Sequence, residues 1–178
     1  MKNLFILLML ALSLASCDKD LLDVDFSTEL SQTSDEIVVN ETLLHNKITG
    51  STYETEFDLD LSNPDTQKYL DRIKEVETKD VKMAYIGLQS LAGNTQNYFL
   101  EITLNNQFRY EISGFNFDQV AGGNPLSINN AGLMEKLSSE LENQKKVHIK
   151  ISGNIPSGQL YRFKIQFSAK VNITAKAL

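Results

Sequence analysis

The chain has 178 residues, of which 42% are hydrophobic and only three are prolines, a composition typical of a globular protein and not of a disordered one. Its formal net charge of −6 gives nucleic acid no positive surface to bind, so nucleic acid is disfavoured as a partner.

The first residues have the pattern of a secretory signal. Lys2 supplies a positive charge, residues 4–14 are apolar at all but one position, and the small residues Ala15 and Ser16 follow. The apolar run is about half of the roughly 20 residues that a helix needs to cross a bilayer. We therefore predict that residues 1–16 are a signal peptide that is removed.

The motif Leu14-Ala15-Ser16-Cys17 resembles the lipobox of bacterial lipoproteins. The resemblance implies cleavage before Cys17, a diacylglyceryl group on its thiol and acylation, for example with palmitate, of its new amino group. Two or more acyl chains hold a protein stably on a membrane. The resemblance further implies attachment to the outer membrane of a Gram-negative bacterium, at the cell surface or on the periplasmic face. The alternatives are an ordinary signal with a coincidental cysteine and an uncleaved anchor.

An acidic stretch, Cys17-Asp18-Lys19-Asp20-Leu21-Leu22-Asp23-Val24-Asp25, follows the signal. It resembles in part the surface-export signal of lipoproteins from Bacteroidetes-type bacteria; the alternative is a solvated tether that keeps away from anionic lipid headgroups. We predict a lipidated acidic tether over residues 17–33 and a single domain over residues 34–178.

The first half of this domain alternates in hydrophobicity. Residues 37–39 are the first predicted strand, and residues 53–61 are a strand with apolar side chains on one face and four acids on the other. A helix is predicted from Pro64 to about Val76, because Pro64 suits a first helical position and apolar residues follow at helical spacing. His45 is interpreted as a surface or half-buried histidine.

Strand character resumes at residues 81–88. Residues 98–104 and 107–113 then alternate on either side of Asn105-Asn106, which tolerates positive φ, so they predict a hairpin. The following loop carries Phe115 and Phe117. The favoured interpretation is that these two side chains plug the end of the core, and the alternative is a candidate binding loop.

Residues 131–144 are predicted to form a second amphipathic helix, which covers an open end or face of a sheet. In the next strand His148 lies between Lys146 and Lys150 and is interpreted as solvated. The last strand, from Tyr161 onward, is long enough that we expect it to bend or to pass between two sheets. Its outer face is basic, and we hypothesise that it pairs with the acidic face of residues 53–61.

These elements predict a mainly β fold, an antiparallel β-sandwich or a partly open barrel with two short amphipathic helices. The last strand also resembles the C-terminus of Bacteroidetes-type envelope lipoproteins with β-sandwich domains, which implies a fold and no activity.

Neither a catalytic site nor a metal or cofactor site is predicted. The chain lacks a Gly-x-Ser-x-Gly motif and clustered histidines. The leading hypothesis is a non-enzymatic envelope lipoprotein that binds a protein or a surface polymer, and the lack of tryptophan favours protein over glycan. The alternatives are a periplasmic carrier of an apolar ligand and, less favoured, a carboxylate-dependent hydrolase.

Overall fold

The computed structural model describes residues 23–39, 51–89, 98–115, 119–155 and 160–177. In these ranges two antiparallel β-sheets enclose one hydrophobic core, which confirms the predicted mainly β, sandwich-like fold. The elements are β1 (Asp23–Thr33), β2 (Ile37–Val39), β3 (Ser51–Asp60), β4 (Ile73–Ile86), β5 (Tyr98–Leu104), β6 (Phe108–Phe115), β7 (Leu126–Ser127), α1 (Ala131–Gln144), β8 (Lys146–Ile155) and β9 (Tyr161–Lys176).

The five-stranded sheet is built around β9. This strand pairs with β1 and β2 on one side and with β4 on the other, and β7 extends the sheet beyond β4. The long strand stays within this one sheet and does not pass into the other. Its predicted inward side chains are all buried, namely Tyr161, Phe163, Ile165, Phe167, Ala169, Val171, Ile173 and Ala175.

The four-stranded sheet has the order β3, β8, β5, β6. The predicted hairpin between β5 and β6 is confirmed, and Asn105 and Asn106 have φ angles of 48° and 55°. The loop is one residue longer than predicted, because Leu104 pairs with Phe108. The Gln107 amide donates to the Leu104 carbonyl at 3.0 Å and closes the turn.

The predicted tether is wrong for residues 23–33, because these residues form β1. Every residue from Asp23 to Thr33 has a partner in β9. Thr28 and Leu30 are buried against the core, and Phe26 packs on it. The alternation is obscured because three of the exposed positions of β1 carry acids, Asp23, Asp25 and Glu29, and acids are equally typical of a solvated tether. Residues 17–22 lie outside the described residues.

The predicted helix over residues 64–76 is wrong in its second half. A short 3₁₀ helix covers Gln67–Arg72, and β4 begins at Ile73. β-Bulges shift the pairing of β4 with β9 between Ile73 and Glu75 and between Thr78 and Asp80. A bulge inserts one residue, so inward positions become three residues apart, which imitates helical spacing.

The second predicted helix is confirmed as α1, with its three leucines at intervals of four, Leu133, Leu137 and Leu141, fully buried. It lies along an edge of the five-stranded sheet and not over an open face. The Thr78 amide of β4 donates to Ser138 Oγ at 2.8 Å. The helix side chain thus replaces the carbonyl group of a neighbouring strand as the acceptor for this backbone amide. No helix in the described ranges is long and apolar enough to cross a membrane.

Candidate functional site

The structure describes only part of the residues singled out from the sequence. Cys17, His45 and Phe117 lie outside the described residues. Phe115 is the last residue of β6 and pairs with Tyr98 across a bulge in the hairpin. Nothing in the described part tests whether the loop after Phe115 binds a partner, so the binding loop stays a prediction.

The two ends of the sandwich differ in what they carry. At one end, which we call the anchor end, Asp23 begins β1 beside Lys176, the last residue of β9. At the other, which we call the loop end, Val39 of β2 lies beside Tyr161, the first residue of β9. β4 also reaches the loop end, where it finishes at Ile86.

The strands of the four-stranded sheet run between the same two ends. A groove lined by residues 35–39 and 52–55 places the start of β3 next to β2 at the loop end. Because neighbouring strands are antiparallel, β8 ends there, β5 begins there and β6 ends there with Phe115. The candidate loop of the sequence analysis therefore starts from the loop end.

The large apolar side chains that are exposed in the described ranges are concentrated at the loop end. Their exposed fractions are 47% for Val38, 41% for Ile86, 37% for Phe99 and 52% for Leu160. Val38 and Ile86 lie near the ends of their strands, and Leu160 immediately precedes β9. Val38 and Ile86 point outward from the five-stranded sheet, whereas Phe99 points outward from the four-stranded sheet. Neighbouring exposed apolar side chains are typical of an interaction surface, so Val38, Ile86 and Leu160 are the candidates for one.

Two basic residues of β9 lie among three of these side chains. Arg162 pairs with Val38 in the strand register, and Lys164 pairs with Ile86. Long basic side chains cover apolar surface with their stems and keep their charges in water. We call Val38, Ile86, Leu160, Arg162 and Lys164 the apolar–basic patch.

One acidic residue borders the apolar–basic patch. Glu36 Oε2 is 3.1 Å from Arg162 Nη1, and both side chains are more than half exposed. An exposed ion pair of this kind contributes at most about 1 kcal/mol, so a partner's carboxylate can replace Glu36 at little cost. The patch therefore has the chemistry to bind apolar side chains that are accompanied by an acid.

The groove between β2 and β3 adjoins the same end. It is open to solvent and has a volume of about 370 Å³. Val39 and Tyr53 form its buried floor, while Glu36 and Glu54 are on its exposed rim. Its acidic rim distinguishes it from the apolar–basic patch.

The interior behind this groove is filled by aromatic rings. The Tyr53 and Tyr85 hydroxyl groups hydrogen-bond to each other, and the centre of the Phe163 ring lies 5.3 Å from that of Tyr53 and 5.6 Å from that of Tyr85. Burial raises the pKa of both tyrosines well above the usual value, so both remain neutral at physiological pH. A carrier of an apolar ligand needs interior space, and this cluster occupies it at the loop end.

The outer face of β3 is acidic as predicted, but its predicted partner is wrong. β3 and β9 belong to different sheets, and β3 pairs with β8, whose outer face is also basic. Lys150 Nζ lies 2.7 Å from Glu54 Oε1, and Lys146 Nζ lies 2.9 Å from Asp58 Oδ2.

His148, which lies between Lys146 and Lys150 and is partly exposed to solvent, also contacts an acid of β3. Its Nδ1 is 3.0 Å from Asp58 Oδ1, and its side chain is only 34% exposed. Hydrogen bonds from Lys146 and then from His148 lower the pKa of Asp58. Glu54, Glu56 and Asp58 of β3 thus contact β8 across the outer face of the sheet, and such cross-strand pairs favour the observed register.

Comparison with known proteins identifies no family. No family model matches the chain, and no curated protein matches it. The chain is similar to a solved structure of Desmodium yellow mottle tymovirus, with 8% identity, coverage of 88% of this chain and 89% of that chain, and a TM-score of 0.35. It is also similar to a structure of the empty head of turnip yellow mosaic virus, with 10% identity, coverage of 87% and 84%, and a TM-score of 0.32. Similarity at this level carries no argument about function.

Proposed function

We propose that this protein is a non-enzymatic envelope lipoprotein that is anchored through a lipid on Cys17 and binds a protein partner with the loop end of its β-sandwich. The anchor is supported by the motif Leu14-Ala15-Ser16-Cys17 behind an apolar run. The membrane in question is the outer membrane of a Gram-negative bacterium.

The distance between the anchor and the domain is short. Only five residues separate Cys17 from Asp23, where β1 begins. A fully extended chain of this length reaches at most about 20 Å, so the anchor end is held close to the membrane. A domain that stands on this end presents the loop end to its surroundings.

The single observation that carries the proposal is the concentration of exposed apolar side chains at the loop end, the end opposite to the anchor. The apolar side chains of the apolar–basic patch are aliphatic, and the exposed ring of Phe99 lies on the outer face of the other sheet. Aliphatic side chains beside Arg162 fit a protein surface that combines apolar residues with a carboxylate better than a glycan.

The lipid anchor can be tested by metabolic labelling. The full-length protein, produced in a Gram-negative host that is fed labelled palmitate, is expected to carry the label and to remain in the membrane fraction. Cys17→Ser is expected to lose the label and to leave the membrane fraction. A labelled Cys17→Ser variant, or an unlabelled wild-type protein, contradicts the anchor.

The partner surface can be tested by cross-linking in cells. A photo-reactive amino acid at Val38 or Leu160 is expected to give a discrete cross-linked product with another protein. The matched control is the same substitution at Glu75, an exposed position near the anchor end. Equal cross-linking from Glu75 and Val38 contradicts the assignment of the loop end.

The side of the membrane is decided by protease treatment of intact cells, with a periplasmic protein as a leakage control. Degradation without leakage places the domain on the cell surface, where the partner belongs to a neighbouring cell or a host. Protection places it on the periplasmic face, and the same cross-linking variants then identify a periplasmic partner.

A further inference from the structure

β6 is an edge strand whose second side is unpaired in the described part of the chain. It pairs with β5 along Phe108–Phe115 and has no strand on its other side among the described residues. The edge of β4 is covered by α1 through the hydrogen bond from Thr78 to Ser138, and α1 also reaches the start of β6, where Gly132 lies near the Phe108 ring. An open edge offers a row of backbone donors and acceptors to another strand.

The side chains of β6 that point towards the core are incompletely covered. Phe108, Tyr110 and Ile112 pack against the core but are only half-buried. A strand added beside β6 with apolar residues at alternate positions would extend this apolar layer.

We propose that β6 pairs antiparallel with β6 of a second copy of this chain, about a twofold axis at Tyr110. The sequence Phe108-Arg109-Tyr110-Glu111-Ile112 is complementary to itself in this register. Tyr110 faces Tyr110 of the second copy, each Arg109 faces a Glu111, and each Phe108 faces an Ile112. A twofold interface uses the same surface on both copies, and this segment meets that requirement.

The charges around Glu111 favour a second copy of this chain as the partner of β6. Glu111 lies directly opposite Glu101 of β5, and like charges in that position repel. Arg109 forms an ion pair with Glu101, and Glu111 has no ion pair with any residue in the described ranges. In the dimer each Glu111 gains Arg109 of the other copy, so both pairs of opposite charge form together.

The antiparallel pairing also fixes how the copies are oriented. The two Asp23 residues leave the dimer at opposite ends, since β1 starts at the anchor end of each copy. Two anchored copies that each stand on the anchor end therefore pair between two facing membranes. The interface itself does not depend on the lipid.

The test is the mass of the full-length protein in a mild detergent, measured by sedimentation equilibrium across micromolar concentrations. The wild-type protein is expected to form a dimer. In Glu111→Arg both cross-copy pairs become repulsive, and we expect the dissociation constant to rise by at least about tenfold. In Arg109→Glu/Glu111→Arg the pairs are restored with their signs exchanged, and the dimer is expected to return.

The substitution Glu111→Arg separates association from folding. Within one copy the new arginine lies opposite Glu101, so the Glu111→Arg monomer is expected to unfold at a temperature no lower than that of wild-type protein diluted until it is monomeric. The control Glu56→Arg reverses a charge on β3, at the opposite edge of the same sheet, and is expected to leave the dimer intact. A monomeric wild type, or a dimer that Glu111→Arg does not weaken, overturns the proposal.

Oxidative cross-linking tests the register. Tyr110→Cys is expected to form a disulfide-linked dimer, because the two side chains at this position face each other across the twofold axis. Arg109→Cys faces a glutamate and is expected to cross-link far less. The wild type, which has only Cys17, is the control for thiol reactivity elsewhere. Equal cross-linking at the two positions contradicts the register.

Discussion

The Tyr53 hydroxyl occupies the space that a side chain at Gly153 would need. The two residues pair directly across β3 and β8, and a Cβ atom on Gly153 would lie 2.6 Å from Tyr53 Oη and 2.9 Å from the Phe99 carbonyl oxygen. The tyrosine ring is held in place by Tyr85 and Phe163, so it cannot move aside freely. The absence of a side chain at Gly153 thus allows β8 to pack beneath the aromatic cluster.

We therefore expect Gly153→Ala to destabilise the protein. Overpacking of a filled interior costs about 1–3 kcal/mol of the free energy of unfolding, which chemical denaturation measures. The matched control is Gly132→Ala in α1, where the nearest atom to a new Cβ lies 3.4 Å away. Alanine favours the helix by up to about 1 kcal/mol, so this control is expected to be neutral or stabilising. A neutral Gly153→Ala contradicts the tight contact.

The bond between the Tyr53 and Tyr85 hydroxyl groups joins the two sheets, since Tyr53 belongs to β3 and Tyr85 to β4. Tyr85→Phe leaves the buried Tyr53 hydroxyl without this partner and is expected to cost about 1–3 kcal/mol. The double variant Tyr53→Phe/Tyr85→Phe removes both hydroxyl groups and is expected to cost less than the sum of the single changes. A double-mutant cycle by denaturation measures this coupling, and strict additivity speaks against it.

Asn105 connects the hairpin to β8 and to α1. Its Oδ1 accepts from the His148 amide at 2.8 Å, and its Nδ2 donates to Glu140 Oε2 at 2.7 Å. Asn105→Gly keeps the left-handed backbone but loses both bonds, for an expected cost of about 1–3 kcal/mol. Asn105→Ala adds the strain of a left-handed alanine, about 1 kcal/mol more.

Asn106→Gly is the control for this pair of substitutions. Asn106 is also left-handed, with a φ of 55°, and glycine adopts this conformation without strain. The free energy of unfolding of the Asn106→Gly variant is expected to differ from that of the wild type by less than about 1 kcal/mol. If Asn105→Gly and Asn106→Gly have the same effect in thermal or chemical denaturation, the side-chain bonds of Asn105 do not stabilise the hairpin.

Local signals account for the parts of the fold that were predicted correctly. Asn105-Asn106 marks a turn, and leucines four residues apart mark α1, because each signal depends only on neighbouring residues. β1 and β4 were missed because their signals are distorted. Exposed acids interrupt the hydrophobic pattern of β1. In β4, bulges at two points place consecutive inward-facing residues three positions apart instead of two.

Strand pairing and the loop-end surface depend on the tertiary structure. Both β8 and β9 have a basic outer face, so charge alone did not decide which of them pairs with the acidic face of β3. The exposure of Val38 was equally hidden, because it lies within the uninterrupted apolar run Ile37-Val38-Val39. Only the pairing of β2 with β9 decides which of these three side chains points outward.

Asp58 makes the stability of the sheet depend on pH. Its pKa is lowered from the usual value of 3.8, chiefly by the hydrogen bond from Lys146 and next by that from His148. A carboxyl group whose pKa is lower in the folded state stabilises the protein above its unfolded pKa. This contribution to stability is lost as the pH falls through the pKa of the folded state. We therefore expect the free energy of unfolding to decrease between about pH 5 and pH 2 in part because of Asp58.

The matched test is Asp58→Asn. The amide cannot ionise, so the variant is expected to be less stable than the wild type at pH 6 and to approach it as the pH falls towards 2. Denaturant titrations at several pH values measure the difference. Glu75→Gln is the control, because this exposed carboxylate has no ion pair among the described residues and is expected to change the pH profile little. If the gap between Asp58→Asn and the wild type stays constant from pH 6 to pH 2, the charge of Asp58 does not stabilise the pairing of β3 with β8.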